Sequence, residues 1–294
     1  MVAGGAGLGG YAYAIEPYRH WIQRYDVRPA SWPNGLKLRI AAIADLHACK
    51  PWMPLDRVEA IVESTNALGA DLIVLLGDYV GSHSVTVEPV NKRDLAAALA
   101  QLKAPLGVHA ILGNHDWWDD RSVQQSFGGM PELRRVFEGA GIPVYENDVH
   151  RLTKDGQPFW LCGLGDQWAF YRNRHQGDRP RSFGYLGRDD LPGTLAKLTD
   201  DAPAIMMLHE PDIFAEMPDR VAVSLAGHTH GGQVQLWGYA PLIPSRYGHR
   251  YVYGHIREGL KSLIVSGGLG CSTLPIRFGR PPEVVVVDVE AQNA

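Results

Sequence analysis

The sequence predicts an α/β fold of two mixed β-sheets packed face to face, flanked by helices, in one domain. Three observations carry that prediction. Apolar strand-like runs alternate with helical stretches through the first half of the chain. The second half adds several more apolar strands with few helices between them, which calls for a second sheet. The composition, with 45% hydrophobic and 20% charged residues over 294 positions, is that of a folded globular chain and excludes a disordered one.

The elements follow in order. "HWIQRYDVRPASWPNGLKLRIAAIADLH" reads as a strand, a Pro/Asn/Gly turn and a strongly apolar strand. "LDRVEAIVESTNALG" has apolar residues at helical spacing and closes on Gly69, a C-cap glycine. "ADLIVLLGDYV" is a buried strand running into a loop, and "RDLAAALAQLKAP" is a helix stopped by Pro105. "LGVHAILGNHD" is a strand, with His109 inside it as a core residue, and "MPELRRVFEGAG" is a helix. "VHRLTKDGQPFWLCGLGD" reads as a hairpin about Asp155-Gly156. "TLAKLTDDAPAIMMLHEPD" is a helix then a strand, and "VAVSLAGHTH", "KSLIVSGG" and "EVVVVDVE" are further strands. The Arg-, Gly- and Tyr-rich stretch from about Ala169 to Leu191 reads as a long surface loop.

Charge and cysteine content narrow the function. A net charge of −4 argues against nucleic acid as the main partner. Cys49, Cys162 and Cys271 are widely spaced and match neither a disulfide framework nor a zinc ribbon. Residues 1–19 open with a Gly/Ala-rich apolar stretch that is uncharged up to Glu16. It is too short and weakly apolar to span a membrane and lacks the basic start of a signal peptide. It reads as a disordered leader, or as the remnant of an export or anchor segment, with residues 20–294 as the single domain.

The chemistry gathers at strand ends. One apolar run ends in Asp45 and His47, the next in Asp78, and a third in Asn114, His115 and Asp116. A fourth carries His209, and the last ends in His228 and His230. Any one of these could cap a strand, but the C-terminal edge of an α/β sheet is where ligands bind, and five such ends point to one shared site. Oxygen and nitrogen donors without thiolate suit Mn²⁺, Fe, Co or Zn²⁺, and the set is too large for one tetrahedral ion but fits two adjacent ones. In "GHTHGG", alternate residues on extended backbone share a side, and the glycines permit close approach.

"DLH", "GDYV", "GNHD", the histidine of "LHEPD" and "GHTHGG", in that order, resemble the calcineurin-like metallophosphoesterase superfamily over about residues 36–232. The tail from "PLIPSRYGHRYVYGHIREG" to "PPEVVVVDV" is similar to a bacterial branch of exported or membrane-tethered enzymes, including relatives acting on phospholipids and UDP-2,3-diacylglucosamine. The resemblance implies a four-layer α-β-β-α sandwich and a binuclear phosphoesterase. It assigns Asp45, His47 and His230 to one divalent ion and Asn114, His209 and His228 to a second, with Asp78 bridging. Hydrolysis of a phosphate ester or anhydride would follow attack of water shared by the ions. His115 would act on the leaving group or the phosphoryl charge, and Asp116 would orient an imidazole or cap the following helix. The substrate implied is a phosphorylated small molecule or lipid, and the location is at or beyond a membrane.

Other residues allow two readings each. Trp117 and Trp118 could wall an apolar substrate group or fill the core. Arg246, Tyr247 and His249 could contact substrate, and Arg172, Arg174 and His175 could meet an anionic headgroup or lie in a solvated loop. Cys49 packs or meets metal; Lys50 is an exposed lysine or a phosphate contact. Two further functions compete: a binuclear amide or ester hydrolase, which "GNHD" disfavours, and a scaffold without turnover, which the complete ligand set disfavours.

Overall fold

The computed structural model describes residues 2–81, 88–171 and 184–292, with side chains from residue 7 onward. Arg172, Arg174 and His175 therefore lie outside the described residues. In chain order the strands begin with β1 (Trp21–Val27), β2 (Leu38–Ile43), β3 (Cys49–Lys50), β4 (Leu72–Leu75), β5 (Glu88–Pro89) and β6 (Val108–Ala110). They continue with β7 (Asp148–Lys154), β8 (Gln157–Gly163), β9 (Phe170–Tyr171), β10 (Tyr185–Leu186) and β11 (Ala204–Met207). The last are β12 (Val221–Ala226), β13 (Gly254–Glu258), β14 (Lys261–Val265) and β15 (Glu283–Val289). The α-helices are α1 (Val2–Ala14), α2 (Leu55–Asn66), α3 (Lys92–Leu99), α4 (Asn114–Trp118), α5 (Arg121–Ser126), α6 (Glu132–Gly139) and α7 (Leu191–Leu195).

Two mixed sheets dominate, ordered β1-β15-β2-β4-β6 and β13-β14-β12-β11-β8-β7. Period-two alternation sorts the side chains of each strand into separate layers. Leu38, Ile40 and Ala42 of β2 join Val74, Val285 and Val287 against Leu161, Ile205, Met207 and Leu225 of the other sheet. Ala41 and Ile43, one residue out of step, instead meet Ile61 of α2, Leu95 and Leu99 of α3, and Phe137 of α6. On the far side, Met206, Leu263 and Val265 pack on Leu191, Phe214 and Tyr251. The layers are thus helix, sheet, sheet, helix, the last thin: α7 and a 3₁₀ segment at Pro211–Glu216.

The hairpin is where the sequence placed it, with β7 antiparallel to β8 and both Asp155 (φ 49°) and Gly156 (φ 77°) left-handed. The two N-terminal strands are neighbours in sequence but not in the sheet, because β15 lies between them, parallel to β1 and antiparallel to β2. The Gly/Ala-rich N-terminal stretch is not disordered but forms α1. The Arg277 amide donates to the Ala12 carbonyl (2.9 Å), and Tyr11 meets Phe278 edge-on. No helix among the described residues is long and apolar enough to cross a membrane.

Candidate metal centre

Strands β2, β4, β6, β11 and β12 bring their C-terminal ends to one edge, and the polar residues that follow them converge there. Asp45, His47, Asp78, Asn114, His209, His228 and His230 are all buried. Asp45 (φ 53°), His47 (φ 43°), Asp78 (φ 57°), His228 (φ 68°) and His230 (φ 51°) hold left-handed backbone. Such a conformation costs a non-glycine residue about 1–3 kcal/mol and persists where the surroundings over-determine it. Strain concentrated on these side chains marks the edge as a functional one.

The side chains form two groups with one carboxylate between them. In the first, His47 Nε2 lies 3.1 Å from His230 Nε2, and His230 Nε2 lies 3.7 Å from Asp45 Oδ1. In the second, the Asn114 Oδ1 is 3.1 Å from His209 Nε2 and 2.9 Å from His228 Nδ1. Asp78 Oδ2 stands 3.6 Å from His47 Nε2 and 3.3 Å from His209 Nε2, facing both groups at once. Its other oxygen accepts from the His115 amide at 2.8 Å, which fixes the rotation of the carboxylate.

Several contacts hold these groups from behind. His209 Nδ1 donates to the Leu76 carbonyl (2.7 Å), which turns Nε2 toward the cluster. Asp45 accepts from the His228 amide at 2.9 Å. Gly113 and Gly227 leave room: an added Cβ would fall 2.5 Å from Asp78 Oδ1 at the first and 2.6 Å from Asp45 Oδ2 at the second.

Electrostatics sharpen the picture. Burial pushes Asp45 up to about 7, against the opposing His209. Burial would raise Asp78 as well, but His209, His115 and His47 draw it well below the usual carboxylate range. Burial holds His228 down to about 3, and His230 is lowered for the same reason, with His47 and Arg277 adding to it. Buried carboxylates and lone-pair imidazoles crowded this closely call for positive charge among them. The donor set and its spacing fit divalent cations, and three-residue groups able to hold one occur at Asp45–His47–His230, His47–Asp78–His115 and Asp78–His209–His228.

The remaining predicted residues divide. His115 sits on the rim, its ring 4.9 Å from His47 and 4.9 Å from Trp118. Asp116 is not directed at an imidazole. Its Oδ2 accepts from the amides of Asp78 (2.9 Å) and Gly113 (2.8 Å), and its Oδ1 from Tyr79 (3.0 Å). It caps α4 and ties that helix to the Asp78 loop, which is the capping reading of the two that the sequence allowed and not the catalytic one. Burial, then Asp78, push its carboxyl up to about 7 against those amides.

Trp117 follows the core reading and not the substrate-wall one: it is 1% exposed and packed in the helix-side core against Phe170. One position on, Trp118 turns outward and stacks on Tyr171 (4.7 Å) and Tyr185 (5.1 Å). Trp168 extends this aromatic wall, 4.8 Å from Tyr185 and 4.6 Å from His228. Arg246, Tyr247 and His249 lie on a separate loop. The Arg246 amide donates to Asp212 Oδ2 (2.9 Å), Tyr247 packs on Tyr251, and His249 on Tyr239. Cys49 is buried on β3, and Lys50 pairs with Glu88 on the surface.

Three residues of the site escaped the sequence reading. Arg277 is fully buried, donates to the Gly267 and Gly270 carbonyls, and places Nη2 3.2 Å from His230 Nδ1. Asp166 and Glu210 form a buried group with His209. Burial and the neighbouring Glu210 hold Asp166 well above its ordinary range. Asp166 closes the loop after β8 in "GLGD", so the strand-end rule could have found it; nothing in the pattern singles out Arg277.

Comparison with known proteins agrees with this geometry. The profile of the "Calcineurin-like phosphoesterase" family matches residues 38–232. The "Uncharacterized metallophosphoesterase YkuE" of Bacillus subtilis (strain 168) is 30% identical, covering 97% of this chain and 91% of that protein. "Phosphodiesterase YaeI" of Escherichia coli (strain K12) is 27% identical over 95% of this chain and 92% of its own length. "UDP-2,3-diacylglucosamine pyrophosphatase LpxG" of Chlamydia muridarum (strain MoPn / Nigg) is 26% identical over 94% and 91%.

Proposed function

The chain is a metallophosphoesterase belonging to the calcineurin-like phosphoesterase family, and from that premise we propose that it hydrolyses a phosphate ester or anhydride at a centre for two divalent cations. The observation that carries the reading is Asp78, whose Oδ2 faces His47 at 3.6 Å and His209 at 3.3 Å. Asp45, His47 and His230 would hold one cation, Asn114, His209 and His228 the other, and Asp78 both. Bound there, two Mn²⁺ ions, or Fe, Zn²⁺ or Co²⁺, supply a nucleophile at neutral pH and neutralise the phosphoryl charge.

The protein's own groups do the rest. The Leu76 carbonyl keeps His209 Nε2 aimed inward, and the His115 amide keeps Asp78 from rotating. His115, on the rim, would give a proton to the leaving oxygen or stabilise charge on the phosphoryl group. Trp118, with Tyr171 and Tyr185, offers an aromatic wall to an apolar or planar leaving group.

The substrate class is a phosphorylated small molecule, lipid-linked or nucleotide-linked. The activities in the names YaeI and LpxG support it, and the acylated substrate named for LpxG supports a location at or beyond a membrane with α1 as tether. The test is turnover of p-nitrophenyl phosphomonoesters, phosphodiesters and carboxylic esters before and after chelation. Phosphoester cleavage should vanish on chelation and return with Mn²⁺. Carboxylic-ester cleavage, or phosphoester cleavage that survives metal removal, would overturn the reading.

A further inference from the structure

His209 and His230 stand in different groups of the metal centre, and what lies behind their rings has opposite polarity. Behind His209 is an acceptor, the Leu76 carbonyl, 2.7 Å from Nδ1. Behind His230 is a cation, with Arg277 Nη2 3.2 Å from Nδ1. A metal-binding histidine ordinarily gives its second ring N–H to a carbonyl or carboxylate, which fixes the tautomer and makes the ring a better ligand. A guanidinium carries donors only and cannot receive that proton.

Arg277 is fixed in this position. The side chain is fully buried. Its Nε donates to the Gly270 carbonyl (2.9 Å), and Nη1 donates to the carbonyls of Gly267 (2.8 Å) and Arg280 (3.1 Å). Nη2 donates to Gly270 as well as to His230. None of these partners is a carboxylate, so carbonyl dipoles solvate the charge without neutralising it. The loop is tied in turn to the first group, the Gly270 amide donating to the Asp45 carbonyl (2.6 Å). The guanidinium therefore cannot turn away without breaking several buried hydrogen bonds, and an arginine does not lose its proton in a folded protein.

The effect on His230 is twofold. With Nδ1 accepting from Arg277, the ring proton of the neutral imidazole falls on Nε2, the nitrogen that faces His47 Nε2 at 3.1 Å. The fixed positive charge also repels a divalent ion held by this ring, and it offsets the negative charge that Asp45 brings to the group. His209 has no such neighbour in its group: the side chains gathered beside it are the carboxyls of Asp166 and Glu210.

We propose that Arg277 acts through His230 to weaken the Asp45–His47–His230 site, making its cation the exchangeable one of the two. The Asn114–His209–His228 site fills first and keeps its ion. The Asp45–His47–His230 site loads last and empties first, so Arg277 sets how readily the centre passes between its one-ion and two-ion states. This inference rests on the two-cation reading.

The test is a titration of chelator-stripped full-length protein with Mn²⁺, bound ion being read from the loss of the free-ion electron paramagnetic resonance signal. Wild type should bind two ions in separated steps. Asn114→Ala should lose the tighter step, and His230→Ala the weaker one. Arg277→Gln removes the charge while keeping a donor for the loop carbonyls and an acceptor for His230. It should tighten the weaker step by roughly tenfold or more, the usual scale for a residue behind a metal ligand, and leave the tighter step unchanged. Arg277→Met is the second neutral variant and should shift the same step the same way. Arg277→Lys keeps the charge and should titrate close to wild type. A merely structural role for Arg277 would loosen binding in the neutral variants and never tighten it. Two equal steps in wild type, loss of the tighter step in His230→Ala, or a weaker step that is unchanged or loosened in the folded neutral variants would overturn the proposal. If neither neutral variant folds, the Asn114→Ala and His230→Ala titrations still decide which site is the weaker. A single ion bound by wild type would instead count against the two-cation reading.

Discussion

Asp116→Ala should damage the protein far more than its distance from the chemistry suggests. The carboxylate is buried and accepts from three backbone amides, those of Asp78, Tyr79 and Gly113. Removing it leaves three buried donors without an acceptor, at about 1–3 kcal/mol each. Some relaxation and water entry will soften the sum, so the expected loss is roughly 3–6 kcal/mol. Asp116→Asn sets the scale. An amide placed with its NH₂ toward Tyr79 still accepts from Asp78 and Gly113, so it loses about one bond, roughly 1–3 kcal/mol. Urea unfolding followed by far-UV circular dichroism, with a chelator present, measures both. Because the same amides set the Asp78 and Asn114 loops, metal affinity should fall in the same order. An alanine variant within about 1 kcal/mol of wild type, or an asparagine variant as damaged as the alanine one, would refute the reasoning.

Two other outcomes are expected. His115→Ala should keep its metal content but lose about a hundredfold in turnover with a poor alkoxide leaving group. A much smaller loss with p-nitrophenolate would identify proton donation, and an equal loss would identify charge stabilisation; loss of metal would remove His115 from either role. His109 is held below its ordinary pKa by burial, with Nδ1 accepting from the Tyr145 hydroxyl and Nε2 donating to the Leu106 carbonyl. A depressed folded value means that its contribution is complete above the unfolded pKa of about 6.5 and is lost as pH falls through the folded value. Tm should therefore fall more steeply below pH 6.5 in wild type than in His109→Gln, and parallel profiles would contradict this.

The convergence of Asp45, His47, Asp78, Asn114, His209, His228 and His230 was legible because each follows an apolar run, and a strand delivers whatever ends it to the sheet edge. The same logic carried the Asp155-Gly156 turn and the helix, sheet, sheet, helix layering. What escaped depends on contacts between distant segments. The placing of β15 between β1 and β2 is a choice among partners that no local pattern encodes. Trp117 and Trp118 are adjacent in sequence but about 100° apart around a helix, so their opposite fates follow from how α4 packs. Asp116 is part of "GNHD", yet its partners, the Asp78 and Tyr79 amides, become neighbours only when β4 and β6 lie side by side. Arg277 lies in an apolar tail and reaches His230 only through the folded loop.

The central claim is that these strand ends hold two cations with Asp78 between them. Titrating chelated protein with Mn²⁺ while following phosphodiester turnover and the electron paramagnetic resonance spectrum tests it most directly. The account predicts that activity saturates near two equivalents per chain and that a spin-coupled signal grows with the second. Asp78→Ala should lose both. Saturation at one equivalent, or two uncoupled ions in a fully active protein, would contradict it.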